Sequence, residues 1–549
     1  MPVVSFSKRE MERIWRSFSE EELIELLEFT KLSLESFGET VEFEVTSDRL
    51  DLVTLEGIVR CLKGVSNEEL GLPKYEVSRK AFEVEVGSGV EKVRPYVVAA
   101  LVKHVDLRTE DSLISLIEAQ EKIHDTLGRK RRRVAIGLHD FSKVKPPVTY
   151  EARRASEVRF VPLGEYAEMS AEEILEQTEK GRTYSHLIRN PENLVPLIID
   201  SRGEVLSMPP IINSELTRLR PGVRDVFIDV TGTDLRAIWN ALEIVVAALA
   251  DRGGEICTLE VLYPDGNRIE TPKYEYDVME VQADFIRDIV GIDLSEEEIM
   301  IQLRRARLDG EASGGKLRVF IPGYRSDFLH PVDVAEEVSI TLGLNKMSYE
   351  LPREVMTIGK VHPVEAFSRK VRSLMIGLGY QEVLNYVMTS KRVLFDLVGR
   401  RERPVVEVAN PISESYSVLR DCLFPGLLVF LSNNTHAKYP QKIFEIGDVV
   451  IVDESRENRV REERRVAAAY ADDSVGFEDV YSHLRALSDG LSIAVHLEPE
   501  IEDPFIEGRC ARIMKGSEAI GLIGEVNPDV LLNLGLSVPV AIFEMRITD

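Results

Sequence analysis

The chain has 549 residues, and at roughly 150 residues per domain this length predicts three or four domains. Its 44% hydrophobic and 30% charged residues are typical of globular proteins, and no apolar run reaches the ~18 residues that a membrane-spanning helix needs. The sequence begins without the apolar segment of a signal peptide, so we expect a cytoplasmic protein with no membrane span.

The charge balance argues against nucleic-acid binding by this chain alone. Its 68 Lys and Arg side chains are outnumbered by 94 Asp and Glu, and the formal net charge of −26 repels polyanions at long range. If the chain serves an RNA enzyme, we expect a partner to supply most phosphate contacts, because counterion release requires Lys and Arg at the nucleic-acid backbone. The basic run Arg129–Arg133 is the local exception, and its default interpretation is a solvated loop.

The first predicted elements form a small N-terminal α/β domain over residues 1–90. Ser19 and Glu22 have the spacing of a capping box, which predicts a helix that begins there and ends near Gly38. Residues 42–64 then predict a strand, an Asp-rich turn and a second helix.

The middle of the chain has a different pattern of predicted elements. Short apolar runs alternate with helical stretches over residues 91–268, which predicts a mixed α/β domain. A smaller, helix-rich module is predicted over residues 269–347. Its last helix should run from Pro331 to about Leu342, where Gly343 would end it.

The last predicted domain covers residues 355–549. Helices alternate there with strands, a pattern that favours an antiparallel sheet with helices. The predicted fold class of the whole chain is therefore α+β with several domains.

The strongest electrostatic feature of the sequence is a group of four acids in the helix-rich module. Asp333, Glu336 and Glu337 fall at positions i, i+3 and i+4 in the first turns of the predicted helix, and Asp327 precedes them. Four gathered carboxylates repel one another unless a cation joins them, and a ligand set made only of oxygen suits Mg²⁺ or Ca²⁺. The alternative is that the helix dipole alone favours these acids.

A second candidate site lies in the middle domain. Strand alternation places Asp229 and Thr231 on one face, and an unpaired carboxylate on a buried face is costly. Ser207 ends a nearby hairpin strand just before two prolines, whose missing N–H groups leave the backbone there unpaired. A polar-lined pocket is one interpretation; helix capping is the alternative for Thr233 and Asp234.

Six motifs, taken together and in order, resemble the β-subunit family of phenylalanyl-tRNA synthetase, in its shorter archaeal and eukaryotic form. The resemblance covers nearly all of the chain and is carried by VAIGLHD, LSMPPIINSE, DVTGTD, YRSDFLHPVDVAEEV, VANPISESYSVLRDCLFPGLL and KIFEIGDVV.

The resemblance implies an α2β2 heterotetramer that attaches phenylalanine to its tRNA. In this family the α subunit binds ATP and charges the tRNA, while the β subunit edits and scaffolds. The C-terminal domain resembles a class II synthetase core without its active site, since Leu419, Arg420 and Asp421 stand where an Arg-x-Glu motif is expected and KIFEIGDVV lacks the ATP-binding arginine.

The resemblance also implies roles for both candidate sites. It assigns Mg²⁺ to the four acids Asp327, Asp333, Glu336 and Glu337, and hydrolysis of mischarged Tyr-tRNA to the middle domain. The editing pocket is predicted to be lined by Leu197, Ser207, Asn213, Asp229 and Thr231. The main alternative is a scaffold or tRNA-binding subunit without enzymatic activity, in which the editing site has degenerated. A freestanding metal-dependent hydrolase is the third possibility.

Overall fold

The computed structural model describes residues 2–273, 276–348, 351 and 358–547. The chain divides into two compact units, residues 1–351 and 352–549, each treated by itself below. In the described part of the chain, every helix is too short or too polar to cross a bilayer.

The first unit begins with a three-stranded antiparallel sheet in the order β1-β3-β2 and three helices. These elements are β1 (Val3–Ser7), α1 (Lys8–Ile14), α2 (Glu20–Leu27), β2 (Leu32–Phe37), β3 (Thr40–Val45) and α3 (Leu55–Val65). Ser19 caps α2 as predicted, but the expected continuation of this helix to Gly38 is wrong. The residues before Gly38 form β2 instead, because pairing with β3 satisfies their backbone.

The middle region of the first unit contains two larger sheets. Its elements are β4 (Val77–Ser78), β5 (Glu83–Val86), β6 (Tyr96–Lys103), α4 (Glu110–Asp125), β7 (Val134–Asp140), β8 (Val148–Arg154), β9 (Arg159–Phe160), β10 (Met169–Ser170), α5 (Ala171–Gln177), α6 (Glu179–Tyr184), β11 (Leu194–Asp200), β12 (Val205–Met208), β13 (Ile212–Asn213), β14 (Val226–Gly232), α7 (Leu235–Asp251), β15 (Glu255–Cys257), β16 (Leu259–Leu262) and β17 (Arg268–Thr271). The strand orders are β13-β12-β11-β8-β5-β16-β17 and β4-β15-β6-β14-β7.

The two faces of β14 belong to different cores, as its alternation predicts. Ile228 and Val230 pack in the same core as the apolar helix α7. Phe227 packs in a second core, with residues of both sheets. Asp229 and Thr231 therefore share the face of Phe227, where burial makes an unsatisfied polar group expensive.

The first unit ends with a three-stranded sheet and three helices. They are β18 (Tyr276–Gln282), α8 (Ala283–Val290), α9 (Glu296–Arg305), β19 (Asp309–Ser313), β20 (Lys316–Pro322) and α10 (Pro331–Leu342). The bounds predicted for α10 are confirmed, including its end at Gly343, which has a φ of 96°.

The second unit is a seven-stranded sheet in the order β21-β24-β25-β29-β28-β27-β26, antiparallel except for the pair β21 and β24, with helices packed on it. Its elements are α11 (Pro363–Gly377), β21 (Gln381–Glu382), β22 (Met388–Thr389), β23 (Val418–Leu419), α12 (Phe424–Asn433), β24 (Gln441–Val452), β25 (Val460–Ala471), α13 (Phe477–Leu491), β26 (His496–Pro499), β27 (Phe505–Lys515), β28 (Glu518–Val526), α14 (Pro528–Asn533) and β29 (Val540–Arg546). The predicted start of this domain at residue 355 lies outside the described residues.

The bounds of the four domains stay predictions. Strands β4 and β5, which the sequence places in the first domain, pair with β15 and with β8 and β16 of the middle region.

Candidate functional site

The middle region encloses a cavity of about 650 Å³ beside α4, β7 and the β12–β13 hairpin. Its wall combines apolar residues with many polar and charged side chains, so it can both bury a ligand and hydrogen-bond to it. The polar lining includes Gln120, His124, Arg131, Ser207, Asn213 and Asp229.

The carboxylate of Asp229 is held in this wall by a histidine. Asp229 is only 1% exposed, and its Oδ2 lies 2.7 Å from Nε2 of the buried His139. The other ring nitrogen, Nδ1, lies 2.7 Å from Oγ1 of Thr217. A neutral imidazole satisfies both contacts, because Nε2–H donates to the carboxylate and Nδ1 accepts from the hydroxyl. Both ring nitrogens of His139 therefore have partners, as is typical of a structural histidine.

Gly137 on β7 leaves the space that this pair occupies. It lies opposite Asp229 in the strand register. A Cβ atom at this position would stand 2.1 Å from Oδ2 of Asp229 and 2.8 Å from Nε2 of His139. Sequence reasoning missed Gly137, although a glycine inside an otherwise apolar strand is a recognised signal of close approach.

Ser207 is a polar side chain of the wall whose hydroxyl lacks a partner among the described residues. It is 1% exposed, and within the described part of the chain its Oγ has no hydrogen-bond partner. Leaving a buried hydroxyl unsatisfied costs about 1–3 kcal/mol, so this position favours a bound ligand or water. Asn213, its strand neighbour, makes one long hydrogen bond of 3.4 Å from Nδ2 to the carbonyl of Leu138.

The remaining two predicted pocket residues lie behind the wall. Thr231 is fully buried, and its Oγ1 accepts a hydrogen bond of 2.9 Å from Nε of Arg94. Burial lowers the pKa of Arg94 to about 10. Leu197 packs in the same apolar cluster as Ile211, which does line the cavity. The structure thus brings together Ser207, Asn213 and Asp229, with Thr231 and Leu197 in the supporting layer.

His124, Glu121 and Arg131 form a polar cluster in the cavity wall that the sequence analysis did not predict. Burial lowers the pKa of His124, whose Nε2 accepts a hydrogen bond of 2.8 Å from the N–H of Ile136. Burial would raise the pKa of Glu121, but the hydrogen bond with His124 and the positive charge of Arg131 lower it to about 2. His124 and Glu121 stand three residues apart on α4, and only the fold brings Arg131 to them.

Three of the four acids of α10 and the loop before it, Asp327, Glu336 and Glu337, pair with cations of the protein. Arg325 donates to Asp327 at 2.7 Å and to Glu337 at 2.6 Å, both from Nη2. Burial would raise the pKa of Asp327, but the charge of Arg325 lowers it to about 2. Glu336, at the surface, accepts a hydrogen bond of 2.8 Å from Nζ of Lys31.

Asp333 has a separate local role at the start of α10. Its Oδ2 accepts hydrogen bonds of 2.7 Å from the N–H groups of Leu329 and His330, which the helix itself leaves unpaired. Within the described residues, no three His, Cys, Asp or Glu side chains are arranged to hold a metal ion. As placed here, the four acids do not fit a common cation, and the predicted Mg²⁺ site stays a prediction.

The second unit also contains a cavity, of about 610 Å³, that is lined by both arginines and acids. Arg465 in its wall donates from Nη1 to Glu544 at 3.0 Å. Arg403, also in this wall, forms an ion pair with Asp421, with 2.9 Å between Nε and Oδ2. These arginines are thus neutralised by carboxylates of their own chain rather than left free for an anion.

Comparison with known proteins identifies the class. A family model described as the phenylalanyl tRNA synthetase beta chain CLM domain matches residues 348–547, and a tRNA synthetase B5 domain model matches residues 279–344. Both models define an aminoacyl-tRNA synthetase subunit.

Similar proteins extend this match to the full length. The chain is 76% identical to the phenylalanine–tRNA ligase beta subunit of Korarchaeum cryptofilum, over 100% of this chain and 98% of the relative. It is 43% identical to that of Pyrococcus furiosus, over 99% of both chains. A crystal structure of an N-terminal fragment of the Pyrococcus horikoshii beta subunit is 43% identical, with a TM-score of 0.60, and it covers 62% of this chain and 99% of the fragment.

The chain belongs to the phenylalanine–tRNA ligase beta-subunit family, in its archaeal form. The resemblance seen in the six sequence motifs is therefore confirmed, and with it a function as a subunit of an aminoacyl-tRNA synthetase.

Proposed function

We propose that this chain hydrolyses Tyr-tRNA, the product of mischarging the phenylalanine tRNA, in the cavity of its middle region. A synthetic site shaped for phenylalanine excludes tyrosine poorly, because an apolar pocket rejects an added hydroxyl by only about a hundredfold. A second site that recognises this hydroxyl corrects the error. One observation carries the proposal: the Oγ of the buried Ser207 has no hydrogen-bond partner among the described residues.

The polar wall would distinguish tyrosine from phenylalanine through hydrogen bonds. Ser207, Asn213 and Asp229 face one cavity and offer both donors and acceptors to a phenol. A phenylalanyl group in the same place would leave the buried hydroxyl of Ser207 unpaired, which reverses the preference of the synthetic site. Leu197 and Thr231 support the wall from behind.

The hydrolysis would use water as the nucleophile. Ser207 has no base beside it in the described part of the chain, so its hydroxyl is not activated for attack. Water held by the polar wall and by the hydroxyls of the tRNA end attacks the ester carbonyl. The bond between the carbonyl carbon and the ribose oxygen then breaks, and this oxygen takes a proton. Tyrosine and free tRNA are the products.

The rest of the enzyme belongs to the same proposal. The partner is a phenylalanine–tRNA ligase alpha subunit, which binds ATP with Mg²⁺ and charges the tRNA. The two kinds of subunit form an α2β2 heterotetramer in the cytoplasm. Residues 355–549 would be a class II synthetase-like core without an active site. The pairing of Arg465 with Glu544 supports this role, because it removes positive charge that a nucleotide would need.

Substitution of Asp229 tests the proposal in the complex with the alpha subunit. Asp229→Ala is expected to leave the charging of phenylalanine intact and to abolish the hydrolysis of Tyr-tRNA. The control is Asp225→Ala, whose side chain accepts a hydrogen bond from the N–H of His104 outside the cavity. Unchanged hydrolysis by the Asp229 variant would contradict the site, and no hydrolysis by the wild-type complex would favour the scaffold alternative.

A further inference from the structure

The loop between α4 and β7 is basic and has an unusual backbone. Three consecutive residues, Arg129, Lys130 and Arg131, have positive φ angles of 48°, 54° and 63°. Residues other than glycine seldom adopt this left-handed backbone conformation. It persists only where the surrounding contacts determine it. The default interpretation of this run as a solvated loop does not explain a fixed and uncommon geometry.

Arg131 ties this loop to the cavity wall. Its Nη1 donates to the carbonyls of Pro210 and Ile211 at 3.1 and 3.0 Å, and both residues line the cavity. Its guanidinium also lies 4.8 Å from the ring centre of Tyr184. The backbone N–H of Arg131 donates to the carbonyl of His124 at 3.1 Å. The loop is therefore a fixed part of the cavity rim.

The basic side chains next to Arg131 in the sequence are exposed to solvent. Arg129, Lys130 and Arg132 are exposed, and among the described residues no carboxylate lies within the 4.0 Å of an ion pair with them. Other basic groups in the rim are neutralised, since Lys180 lies 3.7 Å from Glu121. Each of the three free cations is one or two residues from Arg131, hence within about 8 Å of it along the chain.

We propose that Arg129, Lys130 and Arg132 bind backbone phosphates of the single-stranded 3′ end of tRNA and hold its aminoacylated terminus at the cavity. The inference rests on the proposed editing function and names the surface that delivers its substrate. In a chain of net charge −26, a polyanion is attracted only where local positive charge is unpaired. The loop contacts phosphates rather than bases, so it positions the RNA without reading its sequence.

The test removes the three charges together in the complex with the alpha subunit. The triple variant Arg129→Gln, Lys130→Gln and Arg132→Gln keeps Arg131 and so keeps the anchored backbone. Its matched control removes the same charge from hairpin tips of the second unit, through Arg456→Gln, Arg459→Gln and Lys515→Gln. Both variants are assayed for hydrolysis of Tyr-tRNA over a range of salt concentrations, with thermal unfolding as the check on folding.

The loop variant is expected to bind Tyr-tRNA more weakly and to hydrolyse bound Tyr-tRNA at the wild-type rate. Each phosphate contact on a single strand contributes about 0.7 to the slope of log affinity against log salt, so three lost contacts reduce the slope by about two. Near 0.1 M salt this corresponds to a rise in KM of about a hundredfold at unchanged kcat. The control variant should keep the wild-type KM and slope.

A second probe separates this inference from the editing function. Binding is measured with tRNA that carries tyrosine through a non-hydrolysable amide, which reports on the loop even if the wild-type complex hydrolyses no ester. Weaker binding by the loop variant alone supports the proposal. An unchanged salt slope in the loop variant, or an equal loss in both variants, overturns it, because the contacts would then lie elsewhere or reflect net charge only.

Discussion

Substitution of Ser207 by alanine should affect stability and activity in opposite directions. The Oγ of Ser207 makes no hydrogen bond in the described part of the chain, so its removal breaks no internal bond and relieves a buried, unsatisfied group. Such a group costs about 1–3 kcal/mol when it is dry and less when water reaches it. We therefore expect the free energy of unfolding to stay unchanged or to rise by about 1 kcal/mol.

The same change should weaken editing. If this hydroxyl bonds the tyrosyl group, its loss removes a neutral hydrogen bond of about 0.5–1.5 kcal/mol, or roughly a 2- to 12-fold decrease in kcat/KM. The assay is hydrolysis of Tyr-tRNA by the complex with the alpha subunit, alongside urea unfolding of the chain.

The chain offers a matched control in Ser488→Ala. Ser488 is also 1% exposed, and its Oγ has no partner among the residues that the structure describes, but it lies on α13 of the second unit. This variant should share the unchanged or raised stability and keep full hydrolysis. Wild-type hydrolysis by Ser207→Ala, or a clear loss of its stability, would refute the reasoning.

Two further changes test the buried pair and the acidic motif. In Gly137→Ala, the new Cβ would lie 2.1 Å from the Asp229 carboxylate, so the pair of Asp229 and His139 must separate. We expect the free energy of unfolding to fall by about 3 kcal/mol and the hydrolysis of Tyr-tRNA to be lost. The control is Gly377→Ala, where a Cβ meets nothing within 4 Å; equal stability of the two variants would be the contrary result. Asp333→Asn keeps an oxygen for the helix cap and should lower the Mg²⁺ content of the complex, measured by elemental analysis, if the predicted ligand set is right; full occupancy would rule that set out.

Local signals in the sequence predicted several elements of the fold well. The helix α10 begins at Pro331 and ends before Gly343 as expected, because proline at the first turn and glycine after the last turn act through nearby backbone alone. Ser19 caps α2 as expected for the same reason. The helix expected up to Gly38 is wrong because the segment before Gly38 pairs with β3, the next strand along the chain, and this hairpin satisfies its backbone.

The candidate site was only partly predictable. Burial of Asp229 follows from alternation along β14, which the sequence shows directly. Its partner His139 is 90 residues away in the chain, and the two meet only because β7 and β14 are neighbours in the sheet. Likewise, the acids of α10 can be counted in the sequence, but the position of Arg325 between Asp327 and Glu337 cannot.

The sequence by itself determined the family, the elements with strong local caps and the choice of buried faces, since these depend on residue type and spacing along the chain. Only the tertiary structure decided which polar group lacks a partner, which cation neutralises which acid, and that a basic loop is anchored at the cavity rim. Hydrogen bonds and ion pairs act over distances of about 3–4 Å, so their partners are set by which segments the fold brings together.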